Sequence, residues 1–151
     1  MTTWVVPTGV SPDDIWEHMK NNNVIRFRCD EMGDLSNTTS YKRRKMYGEE
    51  VYKNNLDGME NDLSAFDILI EKMNYGDYVI ARKGHTLLRG IGKVNNAGYY
   101  FDDTLEEYKH CRGVDWIHKG DKELPTTSTK FTRAHHIYEY DHHLDDIFEL
   151  Y

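Results

Sequence analysis

The amino-acid sequence predicts an α+β fold, a small barrel of about five or six strands flanked by helices. Three observations carry that expectation. Two stretches of the front half place apolar residues at helical spacing. From Gly76 onward the apolar period becomes two, and short β-prone runs alternate with turn residues. The length of 151 residues suits one moderate core rather than two, so residues 1–151 are read as a single domain.

Trp4-Val5-Val6, closed by Pro7 and followed by Thr8-Gly9, reads as an opening strand and turn. Ser11-Pro12-Asp13-Asp14 has the form of a helix start, with Ser11 as N-cap, Pro12 at the first helical position and acids in the first turn. Ile15, Trp16 and Met19 give that helix its apolar stripe, and Asn21-Asn22-Asn23 ends it. Val24 to Cys29 alternates apolar and polar residues from Ile25 on, the pattern of a half-buried strand. Gly33 to Ser40 is turn-like. Residues 41–75 hold two helices, the second sending Leu63, Phe66, Ile68, Leu69, Ile70 and Met73 toward a core. Asp77 to Arg82 is a strand, Lys83-Gly84-His85 a tight turn, and Leu87 to Val94 a strand broken by Gly90 and Gly92. Their missing side chains predict a bulge or a close backbone approach. Tyr99-Tyr100-Phe101 opens another extended stretch, Gly113 to Ile117 is a strand with alternating faces, and Pro125 to Thr129 is a polar loop. Residues 141–151 read as a terminal helix, and 139–151 as an acidic helix or the start of a linker.

Composition removes several classes. Aromatic residues at 13%, with eleven tyrosines, are too many for a disordered chain. No apolar run approaches the roughly 18 residues of a membrane span, and Met1-Thr2-Thr3-Trp4 lacks the basic start of a secretory signal. Cys29 and Cys111 lie far apart, make no spaced metal motif, and read as two reduced thiols in a cytoplasmic protein, with one disulfide as the alternative.

The net charge of -7 speaks against a nucleic-acid partner only as a total. Residues 54–77 and 139–151 are strongly acidic, whereas residues 40–53 set Lys42, Arg43, Arg44, Lys45 and Lys53 against Glu49 and Glu50. Residues 78–138 are also net basic. A polyanion needs a local basic face, not a basic whole, although an isolated basic run is commonly a solvated helix face.

Enzyme signatures are few. There is no phosphate-binding loop, no G-x-S-x-G elbow and no H-E-x-x-H motif. His135-His136 and His142-His143 read as a polar, partly exposed segment, since helical residues seven apart sit about 10 Å from one another, too far to share one zinc. Asp103, Glu107 and Lys109 imitate the acids and lysine of a metal-dependent nuclease, in a segment without an apolar strand to fix them. No catalytic residue, metal site or cofactor is therefore assigned. A protein-interaction domain using the acidic helix 141–151 is a further alternative. The aromatics say more: Tyr99, Tyr100 and Phe101 cannot all face one way on a strand, so at least one points away from the core, where it can stack on a base.

The order of motifs extends this. Trp4-Val5-Val6 with Thr8-Gly9 precedes Asp30-Glu31-Met32-Gly33-Asp34-Leu35-Ser36-Asn37. Gly76 to Gly84 and Gly90-Ile91-Gly92-Lys93-Val94 form a central hairpin, followed by Tyr99 to Asp102 and Tyr108 to Trp116. This series, over most of residues 4–117, resembles the EVE/YTH-like domains of the PUA superfamily that are attached to McrB-type modification-dependent restriction GTPases. The resemblance implies a PUA-like barrel that takes a modified base, flipped out of DNA, into an aromatic-lined pocket. YTH modules do this with methylated adenine in RNA, whereas EVE-like ones favour modified cytosine in DNA.

It implies a base pocket drawn from Trp4, Phe27, Cys29, Asp34, Ser36, Tyr99 and Tyr100, with phosphate contacts from Lys42, Arg43, Arg44, Arg82, Lys83 and Lys109. Relatives often carry a tryptophan where this chain has Cys29, which would reshape one cage wall. Asp34 can accept from an exocyclic amine, and Ser36 can donate or accept. Their plain alternative is a turn, capping the helix that follows. Trp4 stands between core and pocket, and Trp116 is assigned to the core. The expected partners are nucleic acid, modified DNA before RNA, and an AAA+ GTPase domain or subunit, because this chain has no phosphate-binding loop of its own. No membrane partner is expected.

Overall fold

The computed structural model describes residues 1–9, 12–124, 131 and 136–151. Among the described residues six strands, β1 (Thr3–Pro7), β2 (Val24–Phe27), β3 (Tyr78–Lys83), β4 (Leu87–Phe101), β5 (His110–Glu123) and β6 (Tyr138–Glu139), form one curled sheet. Their spatial order is β2-β5-β4-β3-β1-β6. Four helices accompany them: α1 (Trp16–Asn22), α2 (Ser40–Met46), α3 (Met59–Asp67) and α4 (Asp145–Phe148). π-helical turns over Tyr47–Val51 and Ile68–Lys72 extend α2 and α3. The α+β class, the strand number and the flanking helices agree with the sequence reading.

Only β3, β4 and β5 form a meander. β1 lies parallel to β3, with Val5 opposite Ile80, and antiparallel to β6. Parallel neighbours need a long crossover, supplied here by the segment that contains α1, β2, α2 and α3. Period-two alternation divides β1, β3 and β4 between two cores. Trp4, Val6, Val79, Ala81, Val94 and Val114 face α1 and α3. Val5, Ile80, Leu88 and Ile91 face Leu124, Phe131 and Ile147.

Several local expectations change. α1 begins at Trp16, four residues beyond Pro12. The Ile15 amide donates to the Thr8 carbonyl at 3.0 Å, and Asp14 accepts the Trp16 amide at 3.1 Å. Ser11 and Pro125 to Thr129 lie outside the described residues. Asn23 ends α1 as expected, at φ 51°, its amide returning to the Met19 carbonyl. β2 is buried along its whole length, not on one face, because the Arg26 guanidinium is consumed by the carbonyls of Tyr108 and Glu107 at 3.1 and 2.6 Å. The terminal helix shrinks to four residues. Aromatic contacts hold the end of the chain instead: Phe148 packs edge-on to Tyr78, and Tyr151 stacks on His118 with ring centroids 4.9 Å apart.

The buried Arg43 and the half-buried Arg112 fasten the helices. Arg43, at 0% exposure, reaches from α2 to Asp67 Oδ1 and Glu71 Oε1 at 2.8 and 2.7 Å. Arg112 of β5 donates to the carbonyls of Leu69 and Met73, satisfying orphan acceptors where the extended α3 ends. The second helix segment buries Leu63, Phe66, Ile68, Leu69 and Met73 as its spacing predicts, and Ile70 packs at their margin.

The two expected strands Leu87–Val94 and Tyr99–Phe101 are one continuous β4, with ladder irregularities at Leu88/Gly90, Ile91/Gly92 and Val94/Tyr99. The glycines do permit close approach: a Cβ at Gly90 would lie 2.8 Å from the Trp16 ring and 2.8 Å from the His118 carbonyl oxygen. Trp16 in turn meets Trp116 edge-to-face at 4.9 Å. Gly90→Ala is therefore expected to lower stability by about 1–3 kcal/mol through overpacking, read as a lower urea midpoint at unchanged slope.

Candidate nucleic-acid interface

The segment from Cys29 to Asn37 joins β2 to α2 and holds three positive φ angles, at Cys29 (75°), Gly33 (68°) and Asn37 (60°). Such a backbone is costly for non-glycine residues and persists only where its surroundings fix it. Three groups do so. The Asp30 carboxylate accepts the amides of Tyr108 and Lys109 at 3.1 and 2.8 Å. The Leu35 amide donates to the Tyr99 hydroxyl at 3.2 Å, and that hydroxyl pairs with His110 Nδ1 at 2.7 Å. His110 Nε2 meets the Cys29 carbonyl at 2.9 Å.

These bonds settle the imidazole tautomer. The Cys29 carbonyl can only accept, so Nε2 carries the proton. Nδ1 is then an acceptor and the Tyr99 hydroxyl donates to it, while the oxygen accepts from Leu35. His110 is fully buried between Tyr99, Phe66 and Phe101, and burial holds its pKa below the ordinary value. The Cys29 end of the loop and the Leu35 amide within it thus hang on one neutral ring.

The tip stays in water. Asp34 and Ser36 are exposed, and Asp34 Oδ1 accepts both the Ser36 amide at 2.9 Å and its hydroxyl at 2.7 Å. Those bonds hold the Asp34 carboxyl below the usual carboxylate range, so it is ionised at neutral pH. Its Oδ2 has no donor among the described residues. Asp34 and Ser36 cap each other, and the helix cap is Thr39, which accepts the Lys42 amide.

The structure divides the expected base pocket. Cys29, Asp34, Ser36 and Tyr99 lie together on or beneath the loop. Trp4 and Phe27 are corrected to core residues: Trp4 is 6% exposed and donates from its indole to Asp77 Oδ2, and Phe27 packs edge-on to Phe66. Trp116 is in the core as assigned. Tyr99 is half-buried and spends its hydroxyl on the loop and His110. Tyr100, 38% exposed, points to the opposite sheet face, in the cross-strand row with Cys111 and Arg26. Both cysteines are free. Burial and the neighbouring Asp62 push the Cys29 thiol up, and burial takes Cys111 to about 12, so neither is a thiolate at neutral pH.

The six expected phosphate contacts separate as sharply. Arg43 is corrected to an internal tie, since both carboxylates it needs are already bound. Arg82 is corrected too: it is fully buried, donates to the Gly84 carbonyl at 3.0 Å, and burial lowers its pKa to about 10. Arg44 is gripped by both oxygens of Glu60, Lys109 pairs with Asp103 at 3.2 Å, and Lys83 stands 3.9 Å from Asp14. Lys42 is exposed with no carboxylate partner among the described residues, and so are Lys45 and Lys53. The nuclease constellation does not converge. Asp102 is bound by Thr104, Asp103 holds Lys109, and among the described residues no three His, Cys, Asp or Glu side chains meet at a metal position. His135 lies outside the described residues, and no described helix is long and apolar enough to cross a membrane.

Sequence reasoning missed His110, Asp30 and Arg26. The one available signal was parity: Phe27, His110 and Phe101 fall on one face once the strands pair. A family model described as a domain of unknown function (DUF8426) matches residues 4–139, and the chain belongs to that family. No curated protein matches the chain.

The linkage at His110 has a definite sign. The unfolded chain takes a proton near the ordinary value of 6.5 and the folded one only at lower pH, so stability falls as the pH drops through 6.5. His110→Gln is less stable than wild type at neutral pH, and the gap narrows on acidification below 6.5, as read by urea midpoints across pH. A gap that stays constant would contradict the neutral tautomer.

Proposed function

We propose that this DUF8426 member is a non-enzymatic nucleic-acid-binding module that reads a modified base flipped out of its strand. The Cys29–Asn37 loop carries the reading. A base edge is discriminated only by polar groups that are held in place before it arrives, since ordering them on binding would consume the gain. Here the backbone beneath the tip is fixed by Asp30, Tyr99 and His110, while an ionised Asp34 keeps one oxygen for a ligand.

An ionised carboxylate only accepts, so it selects the exocyclic amine of cytosine or adenine and repels a carbonyl at that place. Flipping costs a few kcal/mol, least at a mismatched or unpaired base, and the contacts made outside the stack must exceed that cost. The ordered resemblance to EVE/YTH-like domains supports DNA as the first substrate and modified cytosine as the first base. A separate GTPase and nuclease of a McrB-type restriction system would then supply the activity that follows recognition.

The test is a set of matched oligonucleotides carrying methylated adenine, methylated cytosine or hydroxymethylcytosine, in DNA and RNA, titrated by fluorescence anisotropy. One modified member should bind more tightly than its unmodified counterpart. Asp34→Ala should remove about tenfold or more of that affinity, the worth of a hydrogen bond to a charged group. Tyr100→Ala, on the far face, serves as the exposed-aromatic control. Equal binding to every oligonucleotide would end the proposal, and preference for the RNA set would move it to a YTH-like reader.

A further inference from the structure

The loop tip leads directly into α2, and α2 carries a surface that its own packing leaves unused. Tyr41, Arg44, Lys45 and Gly48 follow one another at helical spacing and so share one face. With Leu56 from the turn before α3 and Met59, the first residue of α3, they line a groove of about 310 Å³. Tyr41 is 76% exposed and Leu56 46% exposed, and the Tyr41 ring has no aromatic or cationic partner among the described residues. Lys45 lines the groove and Lys42 stands exposed at its margin, next to Tyr41 in the chain, neither with a carboxylate partner among the described residues, whereas Lys20, Lys83 and Lys109 each face one. Arg44 is held at the rim by two oxygens of Glu60 in the planar geometry a phosphate would offer.

We infer that this groove holds a single-stranded flank of the bound nucleic acid, one base stacked on Tyr41 and the adjoining phosphates on Lys42 and Lys45. An exposed ring beside unpaired cations is what a strand of any sequence requires: a π-face for the base and point charges for the backbone. Tyr41 is five residues on from Ser36 in the chain, so the two lie within about 18 Å, close enough for one strand to reach both. The inference rests on the reading of the chain as a nucleic-acid binder, but it does not depend on base modification. Glu49 also lines the groove and opposes an anion there, which limits affinity.

The experiment uses the full chain with unmodified oligothymidylate and an abasic strand of the same length. Tyr41→Ala should weaken oligothymidylate binding at least about fivefold and leave the abasic strand unaffected. Lys42→Ala with Lys45→Ala should weaken both strands and reduce the slope of log affinity against log salt by about 1.4. Glu49→Gln should tighten both. These positions are exposed, so melting temperatures should stay at the wild-type value.

No oligothymidylate binding by wild type, or binding indifferent to Tyr41, would overturn the inference. Dimerisation abolished by Tyr41→Ala without any strand binding would give the groove to a second copy of the chain. A protein that prefers a modified base yet ignores Tyr41 keeps the base-reader proposal and loses this one. Tyr41-dependent binding without modification preference does the reverse.

Discussion

A neutral imidazole with no access to water holds the front of the molecule to its back. His110 sits at the start of β5 and meets the carbonyl at one end of the Cys29–Asn37 loop directly, and the amide near its middle through the Tyr99 hydroxyl. An uncharged ring is needed there, because a buried imidazolium would carry a desolvation penalty and turn Nδ1 from acceptor to donor. Phe27, Phe66, Tyr99 and Phe101 exclude the water that would otherwise stabilise the charge. With the loop so held, the chain enters α2 in a set direction, and the placement of the basic helix face follows from it.

The charges divide into those that build the fold and those left for a partner. Arg26, Arg43 and Arg82 are buried and Arg112 half-buried, and each directs its guanidinium to carbonyls or carboxylates inside the molecule. A buried guanidinium is tolerable only when so bonded, and once bonded it is lost to any external anion. Lysine, a hydrated point charge on a flexible stem, is the cation that stays outside. On α2 and the turn after it, the cations left to a polyanion are Lys42, Lys45 and Lys53; Lys72, Lys119 and Lys122 are exposed without a carboxylate partner elsewhere among the described residues. The acidic stretch 54–77 is partly explained in the same way, since Asp67 and Glu71 neutralise Arg43 and Asp62 binds Arg28.

Much of the architecture was legible because it depends on local periodicity. The switch to period two at Gly76, the apolar spacing from Leu63 to Met73, the asparagine stop after α1 and the small residues at Gly90 and Gly92 all act over a few residues. The misreadings share one cause. Pro12-Asp13-Asp14 has the chemistry of a first helical turn, but with Ile15 bonded to the Thr8 carbonyl and Asp14 taking the Trp16 amide the helix starts at Trp16. Asp141 to Tyr151 has the composition of a helix, but its aromatic residues gain more from Tyr78 and His118 than from further helical turns.

The sequence by itself determined the fold class, the strand and helix content, the rigid turn around Asp34 and the presence of aromatics and bases in excess of what a core needs. Only the tertiary structure decided which of those residues remain available. Trp4, Phe27, Arg43 and Arg82 were plausible contacts for a ligand until pairing across 73 residues for Trp4 with Asp77, or 24 for Arg43 with Asp67, enclosed them. Side-chain chemistry is local and written in the chain. Exposure is a property of what packs against a side chain from far away, and a pattern of near neighbours carries no record of it.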